Sequence, residues 1–272
     1  MFLYRNKLVR KLLRGNPHFA VRPLLKYLNS NYQFQDRVRT IVSHYEFVAR
    51  QFGEMQLEAM YFGAGLSLAA FTGKSGTIYR VILGTYSPCH PEGDMLLKIE
   101  TSRGEVICFA TFSIGCSEQK LRIELGALQE ARKNVSPEVT KIATRDFHST
   151  RPKHLLMAVL SSFAGSYDIP LLVCISKKAH IDRSNVCFYA DYDRFWQELG
   201  GQELVGSGFY SVPLDHVMPE RVSSKHQSRH QRRASLKSDI AKMLLNGITR
   251  VSPLWWWIAY VVPNAEPALL VF

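Results

Sequence analysis

The residues best suited to chemistry lie in the stretch His148-Ser-Thr-Arg151-Pro152-Lys153-His154. Proline fits the first turn of a helix, where its missing N–H costs nothing. A helix is therefore expected to start here. The open amides of its first turn, with Arg151, Lys153 and His154 beside them, suit a phosphate. Spacing argues against other chemistry. Gly73-Lys74-Ser75 has the end of a phosphate-binding loop, but that motif needs a glycine five residues earlier, where Leu68 stands. The nine histidines, among them His44, His148, His154 and His180, form no H-E-x-x-H zincin motif: His226 and His230 stand at its spacing, but Gln227 replaces the glutamate. There is no H-x-E…C-x-x-C deaminase pattern, no G-x-S-x-G elbow and no G-x-G-x-x-G after a strand. The five cysteines form no C-x-x-C pair, so no metal is expected.

The elements that must position these residues follow from periodicity. Leu8, Val9, Leu12 and Leu13 recur at helical spacing within a basic lead, and helices are expected over 23–31 and 35–53. The runs Thr77–Leu83, Asp94–Glu100 and Glu105–Phe112, separated by turn residues, predict an antiparallel meander, with Leu121–Leu125 a further strand. Residues 127–145 are mixed and partly helical. A helix over Lys153–Ala164 carries the stripe Leu155, Leu156, Val159, Leu160 and Phe163. A buried strand follows over Ile169–Ile175, then a short helix over Asp191–Leu199 stopped by Gly200-Gly201, then a strand over Gly208–Pro213. Residues 221–247 form a basic helix candidate. The end, Pro253-Leu-Trp255-Trp256-Trp257-Ile-Ala-Tyr260-Val-Val262, is too short to span a bilayer; it suits either a membrane interface or a groove of the protein itself. The order predicts an α+β fold: a mixed, mainly antiparallel sheet flanked by helices. It divides into a basic helical segment (1–55), a core (56–220) and a basic C-terminal segment (221–272), together one globular unit.

Of 272 residues, 46% are hydrophobic and 21% charged, a globular composition. The net charge of +11 is unevenly spread: residues 1–40 carry +8 and residues 221–250 carry +7, leaving the middle slightly acidic. Such ends either attract anionic partners, including an anionic membrane surface, or form ordinary solvated helix faces. No recognition motif accompanies the charge, so nucleic acid is not an expected partner. Cys108 and Cys174 sit in apolar runs, as reduced thiols do. The N-terminus has no continuous apolar core of a secretory signal. The expected location is the cytoplasm, with the inner membrane surface as a candidate docking site.

Several stretches are more specific: His44-Tyr45, Gly126-x-x-Gln129, Thr140-Lys141 with His148 and Arg151-Pro152, Ser176 with His180, and Tyr192-Asp193-x-Phe195-Trp196-x-x-Leu-Gly200-Gly201. With the basic Lys225-x-x-x-Arg229-x-x-Arg232-Arg233, they resemble the VirK/YbjX family of Gram-negative bacteria over about residues 35–242. The resemblance implies a role in the bacterial envelope, in virulence and in resistance to cationic antimicrobial peptides, with an envelope lipid or protein as a candidate partner. It implies no particular reaction.

The succession strand, helix, strand, helix, strand from Leu121 onward also resembles the core of GNAT-type acyltransferases. In that family the last helix commonly ends Phe-Tyr-x-x-x-Gly-Phe. Here Phe195-Trp196-Gln-Glu-Leu-Gly200 puts Trp196 at the tyrosine position, and the family's glycine-bearing pyrophosphate loop is replaced by His148–His154. This second resemblance implies a coenzyme A thioester as candidate cofactor, contacted by Arg151, Lys153 and Gln129. Glu124 or His148 would act as general base, and Tyr192 as acid. Each residue also has a structural alternative: Arg151 paired with Asp146 or Asp193, Tyr192 capping the core, Glu124 on a solvent face.

Overall fold

A computed structural model describes residues 5–87, 90–130, 137–182, 191–214 and 227–249; the Trp-rich end, Cys89 and Cys187 lie outside these. Helix α1 (Lys7–Gly15) starts where the Asn6 side chain accepts from the Val9 N–H at 3.1 Å, and it buries Leu8, Val9 and Leu12. A 3-10 helix, Pro17–Leu24, follows. The helix expected over 23–31 does not form. Tertiary partners take the backbone and amide groups there: Leu28 N–H donates to the Pro91 carbonyl at 2.7 Å, Ser30 N–H to that of Ala179 at 2.8 Å, and the Asn29 amide to that of Ser207 at 2.7 Å. Leu28 itself is held at φ +55°, which a helix does not allow.

Helix α2 (Phe34–Gln51) matches the expected 35–53. Asp36 accepts from the Gln33 N–H at its start, and Ile41, His44, Tyr45 and Val48 form its buried stripe. Helix α3 (Glu54–Phe62) follows. The meander is then β1 (Leu66–Thr72), β2 (Ile78–Gly84), β3 (Met95–Thr101), β4 (Val106–Ser117) and β5 (Lys120–Glu130). Helices α4 (Pro137–Asp146) and α5 (Pro152–Ser166) lead to β6 (Leu171–Ile175). Helix α6 (Tyr192–Glu198) precedes β7 (Gln202–Leu204) and β8 (Phe209–Ser211), and α7 spans Gln227–Thr249. The eight strands form one sheet in the order β1-β2-β3-β4-β5-β6-β8-β7. All neighbouring pairs are antiparallel except β5 with β6. The α+β expectation holds, as do the strands from Thr77 onward; β1, β7 and α3 are additions.

Successive strand residues face opposite sides, and β4 shows which helices cover which side. Phe112 packs edge-on against Phe163 of α5. Ser113 faces the other way, 2.7 Å from the Tyr27 hydroxyl, and next to it the Ile114 N–H donates to His44 of α2. Residues of α1, α2, α5 and α7 share one hydrophobic cluster with the sheet.

The N-terminal side of the sheet is organised around one buried carboxylate, Asp94. Arg22 pairs with its Oδ1 at 2.7 Å, and Tyr45 donates to the same oxygen at 3.0 Å. Tyr27 donates to Oδ2, and Ser113 Oγ lies 3.1 Å from it. Burial raises the Asp94 pKa, but Arg22, His44 and the two phenols outweigh it, so the group stays below the usual carboxylate range. Removing one partner of such a pair strands the other charge in the core. Asp94→Ala is expected to cost about 3–5 kcal/mol, read by urea unfolding.

His44 is fully buried beside this cluster. Its Nδ1 accepts from the Ile114 N–H at 3.2 Å, which leaves the proton on Nε2, 2.9 Å from the Tyr61 hydroxyl. Burial above all lowers its pKa from 6.5 to about 4. The unfolded chain therefore binds a proton that the folded one refuses, so stability falls as pH drops from 6.5 toward about 4. The loss grows to roughly 3 kcal/mol once the pH lies well below that range. Urea midpoints taken across that window should decline in the wild type and decline less in His44→Gln.

Candidate functional site

The site begins with a split in the sheet. Strand β6 pairs with β5 only over Arg122–Leu125 against Leu171–Cys174. Just past Leu125, β5 has a bulge: Phe112 faces Leu125 and Thr111 faces Ala127, so Gly126 is the extra residue. Only glycine fits there, because a Cβ at Gly126 would lie 2.0 Å from the Glu92 carbonyl oxygen. Beyond the bulge, β5 continues to Glu130 with no β6 partner beside it.

Helix α6 wedges two aromatic rings into this opening. Tyr192 and Trp196 stack with ring planes 8° apart. The Tyr192 hydroxyl accepts from the Leu128 N–H of β5 at 3.1 Å, and the Trp196 indole donates to the Ile175 carbonyl of β6 at 2.8 Å. Each diverging strand thus gets a polar partner from the wedge, and the helical i, i+4 spacing of the two rings makes this reach geometrically natural.

A cleft of about 170 Å³ lies above the wedge, lined by Leu128 of β5, Arg151 and Lys153 at the start of α5, and Asp191, Tyr192, Arg194, Phe195 and Glu198 of the α6 region. Three cations and two carboxylates meet there. Glu198 Oε1 takes Arg194 Nε at 3.4 Å, and its Oε2 lies 3.9 Å from Arg151. Phe195 packs edge-on against His154. The turn that delivers Arg151 has two consecutive residues in the left-handed region, His148 (φ +53°) and Ser149 (φ +65°). Arg233 of α7 donates to both of their carbonyls at 3.0 Å. The basic C-terminal helix therefore braces the turn before the cleft.

Of the sequence candidates, Arg151, Lys153 and Tyr192 meet at this cleft. Arg151 pairs with Glu198 rather than with Asp146 or Asp193. Tyr192 is buried, burial pushes its phenol well above the usual value, and its hydroxyl is engaged with backbone. These properties fit a core-capping role and weaken it as an acid. Gln129 follows Leu128 on β5 but is not among the residues lining the cleft. His148 is half-buried in the turn and stands outside that lining too.

Glu124 is fully buried, not solvent-facing. Arg122 Nε reaches its Oε1 at 2.7 Å, while Tyr32 (2.7 Å) and Thr40 (3.2 Å) donate to Oε2. Gly115 makes room for it, since a Cβ there would stand 2.2 Å from Oε1. An acceptor could reach this carboxylate only by displacing one of those donors.

Gly73-Lys74-Ser75, rejected above as a phosphate loop, wraps an internal anion. Ser75 N–H and Oγ donate to the Asp146 carboxylate at 3.0 and 2.6 Å, and the Tyr79 hydroxyl joins them at 2.7 Å. Among the described residues, no group of three or more His, Cys, Asp or Glu could hold a metal ion, and no helix is long and apolar enough to cross a membrane. Sequence reasoning missed Leu128, Asp191, Arg194, Phe195 and Glu198 as cleft residues. The i, i+4 pair Arg194/Glu198 was the available signal.

Residues 1–245 match the family described as "Protein of unknown function (DUF535)". The chain belongs to this family. It is similar to the "Uncharacterized protein YbjX" of Escherichia coli (strain K12), at 25% identity over 230 residues, covering 82% of this chain and 69% of that protein. The VirK/YbjX resemblance drawn from the sequence is thereby borne out.

The wedge generates a test. Tyr192→Phe leaves the buried Leu128 N–H without its acceptor and is expected to cost about 1–3 kcal/mol, measured by urea denaturation. A cost near zero would mean that the hydroxyl does not help hold the strand end.

Proposed function

We propose that the protein is an acyl-transfer enzyme of the bacterial envelope that takes a phosphate-bearing thioester, of the coenzyme A kind, at the cleft between β5, α5 and α6. The observation that carries this reading is the split after Leu125. An extended strand end, a helix N-terminus and three cations converge on one opening there. Strand β5, helix α5, strand β6, helix α6 and the β7–β8 pair follow in the order that prompted the acyltransferase comparison.

The available groups suit such a ligand in part. Arg151, Lys153 and Arg194 can hold phosphates, and the start of α5 favours an anion. The cleft's roughly 170 Å³ accepts phosphate groups or part of an arm and is smaller than the 300–1,000 Å³ or so of typical ligand sites. When bound, a thioester would supply an activated acyl group. This chain's part would be to grip the phosphates and to keep the β5 end open through the Tyr192–Trp196 wedge. An envelope lipid or protein is the proposed acceptor, which follows from the family resemblance.

Thermal-shift titration with coenzyme A and acyl thioesters tests the ligand. Saturating millimolar coenzyme A is expected to raise Tm by several degrees, since ligand at about 100 times Kd adds about 2.7 kcal/mol. Arg151→Ala with Lys153→Ala should remove most of that rise. No stabilisation of the wild type at millimolar ligand would defeat the proposal.

A further inference from the structure

The 3-10 helix Pro17–Leu24 has its polarity reversed. With three residues per turn, side chains at i and i+3 stack into rows. One row, Phe19 and Arg22, points inward, with Arg22 only 2% exposed because Asp94 neutralises it. The opposite row holds His18, Val21 and Leu24, and these face solvent. Val21 is 40% exposed, Leu24 68% and the following Leu25 47%. A folded chain usually does the opposite, keeping arginine out and leucine in.

The patch extends onto α2. Arg37 donates from Nε to the Pro23 carbonyl at 2.7 Å and from a terminal nitrogen to the Tyr32 carbonyl at 2.6 Å, which clamps the 3-10 helix end to the first turn of α2. Phe34, one helical turn before Arg37 and on the same side, is 50% exposed. Large apolar side chains from two segments therefore gather around one clamp.

Cations flank the patch. Lys26 follows Leu25 directly, and Arg14 ends α1 just before the 3-10 helix; both are exposed. Lys7 and Lys11 are spent on Glu54 and Glu58 of α3, whereas Arg10 and Arg14 form a separate i, i+4 row with no acid paired to it among the ion pairs described. Even after Asp94, Glu54 and Glu58 neutralise Arg22, Lys7 and Lys11, the +8 of residues 1–40 leaves +5 in this region. Exposed leucine and phenylalanine, with Lys26 next in the chain and Arg14 on the preceding helix, match an anionic bilayer surface: the apolar side chains enter the headgroup–acyl boundary and the cations meet lipid phosphates.

We infer that Val21, Leu24, Leu25 and Phe34, with Arg14 and Lys26, form a docking face for an anionic membrane surface. The inference stands apart from the acyl-transfer reading, because it uses no residue of the cleft. It puts the protein on a bilayer by surface contact.

Flotation of the full-length protein with vesicles tests it, using phosphatidylcholine alone and phosphatidylcholine mixed with phosphatidylglycerol. The wild type is expected to float with the mixed vesicles, not with the neutral ones, and to be released by high salt. Leu24→Asp with Leu25→Asp should lower binding by on the order of tenfold or more for each leucine withdrawn. Arg14→Glu with Lys26→Glu should lower it also. Both pairs alter exposed side chains, and an unchanged melting temperature verifies that the fold is intact. Three results would overturn the inference: no flotation of the wild type, as a protein partner at this face would give; equal flotation with neutral and anionic vesicles; or undiminished flotation of the Leu24/Leu25 variant, which would move binding to another surface such as α7.

Discussion

The buried charge of Asp94 is the constraint on which much of this molecule depends. A carboxylate under the sheet is tolerable only if a cation and several hydroxyls are brought to it. Those groups come from far apart in the chain: Arg22 from the 3-10 helix, Tyr27 from the irregular segment after it, Tyr45 from α2 and Ser113 from β4. Satisfying one charge therefore fixes the N-terminal fifth of the protein on the sheet. It also fixes how the 3-10 helix is rotated. Once Arg22 must point inward, Val21 and Leu24 have no choice but to point out, so the apolar outer row and the buried ion pair are two sides of one decision.

Much of the fold was legible in the sequence because it rests on local periodicity. The stripe Leu155, Leu156, Val159, Leu160 and Phe163 gave α5, and Pro152 marked its first turn. The runs around Val81, Ile99 and Phe109 gave the meander. What could not be read depends on contacts between distant residues. Tyr32 reaches Glu124 across 92 positions, and Arg22 reaches the His90 carbonyl across 68. The segment after Pro23 looked helical because its propensities are helical, and its backbone groups were claimed instead by Pro91 and Ala179. The cleft was half legible. Arg151 and Lys153 announced themselves through the helix start, but Leu128 enters only because β6 stops pairing where it does, and pairing register is a property of the assembled sheet.

The same contrast explains the fate of two apparent anion sites. Gly73-Lys74-Ser75 and the start of α5 look alike on paper, each offering amides and basic residues. The first is closed on the protein's own Asp146, so its donors are spent. The second opens on a cleft in which three cations share two carboxylates, leaving positive charge to spare. A donor set becomes a candidate site by what is left over after the fold has taken its share.

The split after Leu125 has a mechanical meaning. Only four residue pairs, Arg122 with Leu171 through Leu125 with Cys174, join the five-stranded meander to the three-stranded piece of β6, β8 and β7. In the language of hinges, these pairs are the pin, and the stacked Tyr192 and Trp196 rings are the shim that sets the opening angle. The two leaves of the sheet are thus joined by one short seam and the seven-residue helix α6, with α5 and the Leu28–Ser30 segment packed across both. Where the pairing stops the wedge takes over, and that handover lies at the floor of the cleft, between Leu128 and Tyr192.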